Sequence, residues 1–354
     1  MSLKLVKLVF KFGSLLALTP AKIEQNGLVF PSKTYALLWI ILFTAGVSIS
    51  TVYRKVFYET MTLVELILQV ATDTTLFIVN IFTIITTATK RREWQKFIKI
   101  LQTLKMNKGN EKIFWFLPFL LTNIIYVLSK IYETYVWSQF VGVEFFIKMC
   151  TVEYFQFYAQ FVVYYLIYVF LKLILNAVEN LFNDIDLLEV QFTRLNSFTL
   201  KGIKSDFFSL AECINIFNNI FGWLILFLIQ FCFIQQLSHL LSLTVPVVAD
   251  NTVSVVIFRI LYVTWHMAGT FTGVFLCDQI EQKVKNMQMV AHKIAANCVE
   301  EKEYEEIKML EDLINHSFPH FTAAGFFDLN RKTILGVLNA LLTFLIVAIQ
   351  FDSI

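Results

Sequence analysis

Apolar residues run through this chain in long stretches separated by short clusters of charge. A helix needs about 20 predominantly apolar residues to cross about 30 Å of hydrocarbon. Stretches of that grade fall at 35–52, 62–88, 113–137, 145–174, 213–244, 253–277 and 333–351. The pattern predicts an all-α polytopic membrane protein with seven transmembrane helices, the first four within 35–174, the fifth and sixth within 213–277 and the seventh within 333–354. Two long connections, 175–212 and 278–332, are polar but still periodic. In the second of them Val284, Met287, Val290 or Ala291, Ile294 and Cys298 repeat at helical spacing with charged residues between, as expected of helices that continue beyond the bilayer and pack on one another as an anchor. Residues 1–34 form a further region, in which Lys4, Lys7 and Lys11 share one helical face and Leu5, Leu8, Val9 and Phe12 the other. That alternation describes a retained amphipathic helix at the membrane interface rather than a cleaved signal. Internal repeats and low-complexity tracts are absent from the sequence.

Composition supports the membrane reading. Hydrophobic residues make up 57% of the chain and charged residues only 16%, with a mean hydropathy of +0.65, against roughly 45–50% and about 25% in soluble domains. A net charge of +2 gives no basic field of the kind that attracts nucleic acid, so the expected partners are lipids and copies of the chain itself.

Charge matters more by position than by sum. Lys and Arg collect before the first stretch, between the second and third (Lys90, Arg91, Arg92, Lys96, Lys99), before the fifth and before the seventh, whereas the alternate loops hold little beyond Arg54, Lys55 and Lys148. The positive-inside rule therefore predicts a cytoplasmic N-terminus and an extracellular C-terminus. It also puts the sequon Asn315-His316-Ser317 in the cytoplasm, where it is not glycosylated.

Catalytic and metal chemistry find no foothold. The five cysteines form no CxxC pair and read as free thiols. His316 and His320 have the spacing of a zinc helix, but Pro319 lies between them, so a helix ending is the better reading. No enzyme, cofactor or metal site is expected.

The last stretch is more specific. At about 100° per residue, Gly336, Asn339, Thr343, Val347 and Gln350 fall on one narrow stripe, while Leu335, Leu338, Leu341, Leu342, Leu345, Ile346 and Ile349 cover the remainder. In hydrocarbon such a stripe is either a seam between packed helices or the wall of an aqueous pore.

The segment HFTAAGFFDLNRKTILGVLNALLTFLIVAIQF, from His320, resembles the C-terminal end of insect gustatory receptors: an Ala-Gly-Phe-Phe-Asp lead-in, then a helix closing on Thr-Tyr, five hydrophobic residues and Gln-Phe. Here Phe344 stands where the family usually has Tyr, which removes one hydroxyl. The resemblance implies a tetrameric, ligand-gated, nonselective cation channel in the plasma membrane of sensory neurons, either a homotetramer or a heteromer with related receptors, passing monovalent cations and calcium. It also implies that Gln350 and Phe351 form the outer gate, with Val347 and Thr343 inward of them. Odorant receptors share the inverted topology and are the nearest alternative. A G-protein-coupled receptor would need the opposite orientation, and a secondary transporter an inverted repeat that this chain lacks.

Polar residues in helical register mark the outer halves of the other helices. They are Glu65, Gln69, Thr72 and Asp73; Tyr126, Lys130, Glu133 and Trp137, with Tyr132 among them; Glu153, Gln156 and Gln160; Gln235, His239 and Ser242; and Arg259, Tyr262 and His266, with Trp265 beside them. Intramembrane polar groups at one depth suggest one ligand cavity. Its carboxylates and amides would suit a sugar-like tastant, and its aromatic faces a bitter plant compound.

Overall fold

A computed structural model describes residues 3–24, 27–104, 116–190, 197–244, 252–297 and 301–352. Local sequence signals set several of the helix limits. Ser32 accepts a hydrogen bond from the Tyr35 amide and starts α2 (Lys33–Tyr58). Thr62 and Glu65 form a reciprocal capping box at the start of α3 (Leu63–Thr89), which satisfies two otherwise orphaned amides. Gly142, at φ 81°, turns the chain between α5 (Phe116–Val141) and α6 (Val143–Val190) within a single residue, a conformation that a side chain would strain.

The other helices are α1 (Leu3–Leu15), α4 (Arg91–Thr103), α7 (Ser197–Thr244), α8 (Thr252–Asn297), α9 (Glu301–Ser317) and α10 (Arg331–Asp352). Two small antiparallel hairpins punctuate them, β1 (Lys22–Glu24) with β2 (Gly27–Val29) and β3 (Thr322–Ala323) with β4 (Phe327–Asp328). Among the described residues, five helices are long and apolar enough to cross a membrane: α2, α3, and most of α6, α7 and α8. The two remaining expected spans coincide with α5 and α10, which are not among those five.

The expected spans and the polar connections after them prove continuous. α6 and α7 each run 48 residues and α8 runs 46. At 1.5 Å per residue that is about 70 Å, more than twice the hydrocarbon thickness, so these helices project well past it at the end opposite Gly142. There α9 packs on α8 and α7, burying Ile307, Leu310 and Ile314 near Met287, Ala291 and Ile294, so these periodic apolar residues line a packing seam, while Cys298 lies outside the described residues.

α1 differs from its expected place at the lipid interface. Leu5, Val6, Val9 and Phe10 are buried against α6 and α4, while Phe12 and Leu15 stay open. The apolar face is covered by protein because α4 and α6 offer it aromatic rings of their own. Phe10, Trp94, Phe97, Phe170, Phe217 and Phe221 form one dry cluster with neighbouring ring centroids 4.9–6.3 Å apart. Outward, α2 and α5 expose Leu37, Leu38, Ile41, Leu121, Ile125 and Leu128, the greasy surface that lipid requires.

The β3–β4 hairpin joins α9 to α10 and docks closely on α7. Asn218 donates to the His320 carbonyl at 2.7 Å and accepts from the Thr322 amide at 3.2 Å. A Cβ on Gly222 would lie 3.0 Å from the Ala324 nitrogen, so the close approach requires glycine. Arg331, the first residue of α10, pairs with buried Asp278 of α8 at 2.6 Å and stacks over Phe275.

Candidate functional site

In the half of the bundle nearer Gly142, α5, α6 and α8 line a cavity of about 320 Å³, open on the side of Ile125, Leu128 and Leu261. Its walls follow from helical spacing. Phe157, Gln160, Phe161 and Tyr164 share one face of α6, Leu261, Tyr262, Trp265 and His266 one face of α8, and Ile125, Tyr126, Leu128, Ser129, Lys130 and Tyr132 come from α5. The walls are mainly aromatic. Trp265 stacks on Phe161 with centroids 5.7 Å apart and planes inclined by 30°, and Tyr126 lies nearly parallel to Phe161 at 5.8 Å.

The polar groups of this wall are few and buried. Lys130 Nζ donates to Glu133 at 2.7 Å and lies over the rings of Phe157 (4.6 Å), Tyr154 (4.8 Å), Tyr262 (5.0 Å) and Tyr126 (5.9 Å). Gln160 Nε2 reaches the Tyr164 hydroxyl at 3.5 Å, and that hydroxyl bonds Thr270 Oγ1 at 2.8 Å. Gln160 Oε1 and His266 Nδ1 have no hydrogen-bond partner.

Of the residues proposed from sequence as ligand contacts, Tyr132, Tyr262, Trp265 and His266 line the cavity, as do Tyr126, Lys130 and Gln160 from the same stripes. Most of the others have structural partners. Glu65 caps α3. Asp73 accepts from Arg54 at 3.0 and 3.1 Å, from Tyr58 at 2.8 Å and from Gln69 at 3.1 Å, while Glu153 takes the other Arg54 nitrogen. Arg54, assigned from sequence to a sparse loop, is thus a buried hub inside α2, because that helix continues to Tyr58. Glu133 holds Lys130, Gln156 is buried away from the cavity wall, and Gln235 pairs with His239 at 3.2 Å. The side chains of Ser242 and Arg259 lie outside the described residues.

Sequence reasoning missed Ile125, Leu128 and Ser129 on α5, Phe157, Phe161 and Tyr164 on α6, and Leu261 on α8. Spacing from Gln160 and Tyr262 carried the signal on α6 and α8, but chiefly polar residues had been followed.

α10 packs on α7 and α8 through Val337 and Leu341. Its stripe of Gly336, Asn339, Thr343, Val347 and Gln350 is on the exposed side of the chain, so the stripe is not a seam within one copy. Phe351 belongs to the same helix, with its side chain outside the described residues. Among the described residues no cluster of His, Cys, Asp and Glu is placed to hold a metal ion.

No curated protein matches the sequence. The fold is similar to that of the insect olfactory receptor OR5 from Machilis hrabei in complex with eugenol (TM-score 0.63, 12% identity) and to that of a second OR5 structure (TM-score 0.64, 13% identity), with 98% of each chain covered in both comparisons. The sequence model of the 7tm chemosensory receptor family runs from residue 6 to residue 354, nearly the whole length, and the chain belongs to that family.

Proposed function

We propose that this protein is a gustatory receptor: a ligand-gated, nonselective cation channel of sensory-neuron plasma membranes, opened by a small-molecule tastant in the α5–α6–α8 cavity. The observation that carries the reading is the pairing, in one chain, of an aromatic cavity with a terminal helix whose polar stripe is exposed on the single chain. Four copies around an axis would bring four such stripes together, with Gln350 and Phe351 at the outer mouth and Val347 and Thr343 further in. All seven apolar stretches would then cross the membrane, with the N-terminus cytoplasmic and the C-terminus outside. The eugenol complex of OR5 supports a small organic ligand. The shared fold also favours a second reading, an odorant receptor, which differs in the ligands it meets rather than in mechanism.

The test is recording from cells that express only this chain. Ligand should evoke cation current with G-protein signalling blocked. Gln350→Glu should alter divalent block, since a unit charge 4 Å from an ion at an effective dielectric of 20 is worth about 4 kcal/mol before screening. Wild-type current, calcium permeability and leak in both Gln350→Glu and Gln350→Ala, at matched surface expression, would remove α10 from the conduction path.

A further inference from the structure

An ammonium surrounded by aromatic faces is the arrangement by which proteins recognise amine ligands. In this chain the ammonium belongs to the protein. Lys130 extends from α5 over Phe157, Tyr154 and Tyr262, each ring centroid within about 5 Å of its nitrogen, and Glu133 accepts its hydrogen bond. Lys130 lines the cavity whereas Glu133 does not, so the charge nearest a bound molecule is positive and its counter-charge stands behind it. The aromatic faces that would attract a ligand cation are already in use.

The remaining demand of the wall is of another kind. Gln160 directs its NH₂ to Tyr164, which leaves Oε1 as a buried acceptor without a donor, and His266 Nδ1 one helix away also lacks a partner. Both residues are at least nine-tenths buried. Unmet buried polar groups make a site discriminate strongly in favour of a ligand that satisfies them. A hydroxyl does so without carrying charge into an apolar wall. A carboxylate would bring a second acceptor to Gln160 Oε1 and an anion to a lysine already neutralised by Glu133.

We propose that Lys130 is a built-in occupant of the cavity's cation site, so that the cavity takes neutral aromatic molecules bearing a hydroxyl, read by Gln160 and His266, and excludes amines. This names the ligand class of the site proposed above and rests on that reading only for the step from binding to current.

The test uses three molecules on one skeleton, 3-phenylpropan-1-ol, its methyl ether and 3-phenylpropylamine, with binding to the detergent-solubilised full chain followed by thermal shift. The alcohol should bind about tenfold more tightly than the ether, the scale of one net hydrogen bond, and at least about tenfold more tightly than the ammonium. Gln160→Leu should bring the alcohol down to the level of the ether. Lys130→Met opens the rings and Glu133 to a ligand, and the ammonium should then bind at least as well as the alcohol. Wild-type protein supplies a result even if a variant fails to fold. Equal binding of alcohol and ether, ammonium binding as tightly as alcohol, or no binding of any of the three would overturn the proposal. Binding in the stated order without evoked current would leave this ligand class standing and sink the channel reading. Current without that order would do the reverse.

Discussion

Around Phe170 and around Phe161, two positions on the same helix, aromatic rings do opposite things. Phe170 is fully buried, and Phe10, Trp94, Phe97 and Phe221 close on it from α1, α4 and α7 until no space is left. Phe161 meets Tyr126, Tyr158, Tyr165 and Trp265, comparable in size and number, yet borders about 320 Å³ of open volume. Ring content does not separate the two regions; what surrounds the rings does. Near Phe170 short amphipathic elements, α1 and α4, fill the gaps between long helices. Near Phe161 only long helices meet, and Lys130, Gln160 and His266 occupy wall positions where further rings would close the gap. Straight helices leave a void unless something small is inserted, and this chain inserts its fillers at one end only.

The largest expected effect follows directly. Phe170→Ala should cost about 3–5 kcal/mol, as for a large ring removed from a packed site, and lower both surface expression and thermal stability. Phe161→Ala should cost less than half as much, because that ring borders the cavity and its removal enlarges a space already present. Equal losses in a thermal-shift series would erase the distinction between the regions.

Added volume sharpens the same contrast at smaller scale. Gly222→Ala drives a Cβ into the β3 backbone, which has nowhere to go, and should cost about 1–3 kcal/mol. Gly269→Ala places its Cβ 3.3 Å from the Tyr164 ring. That ring borders the cavity and can give way, so stability should change by under about 1 kcal/mol. An effect of similar size belongs to Tyr164→Phe, which loses the hydroxyl shared with Thr270 and Gln160. It should cost about 0.5–1.5 kcal/mol without changing the cavity's size, read by thermal shift with and without 3-phenylpropan-1-ol.

Sequence periodicity made much of this visible. The seven apolar stretches match α2, α3, α5, the first parts of α6 and α8, the latter part of α7, and α10, because hydrocarbon demands continuous apolar helix. The capping box at Thr62 and Glu65 was also readable, yet Glu65 was assigned to ligand because its neighbours in register, Gln69 and Asp73, are polar too. Register gives the face a residue is on, not the partner waiting there. Arg54 shows this most plainly: an arginine near a predicted loop became the centre of a buried network once α2 gained a final turn and a half. The cavity was harder still, since the ring spacing on α6 is alike where packing closes and where it stays open.

The bond between Arg331 and Asp278, with the hairpin held on Gly222, anchors the first turn of α10, and Val337 and Leu341 are its packing contacts in the middle. A rod of 22 residues is about 33 Å long. Turned by about 5° about that anchored base, its far end sweeps sideways by about 3 Å, roughly the width of a water molecule. A displacement too small to break any contact at the hairpin is therefore magnified, at Gln350, to the scale of the particles that would pass there.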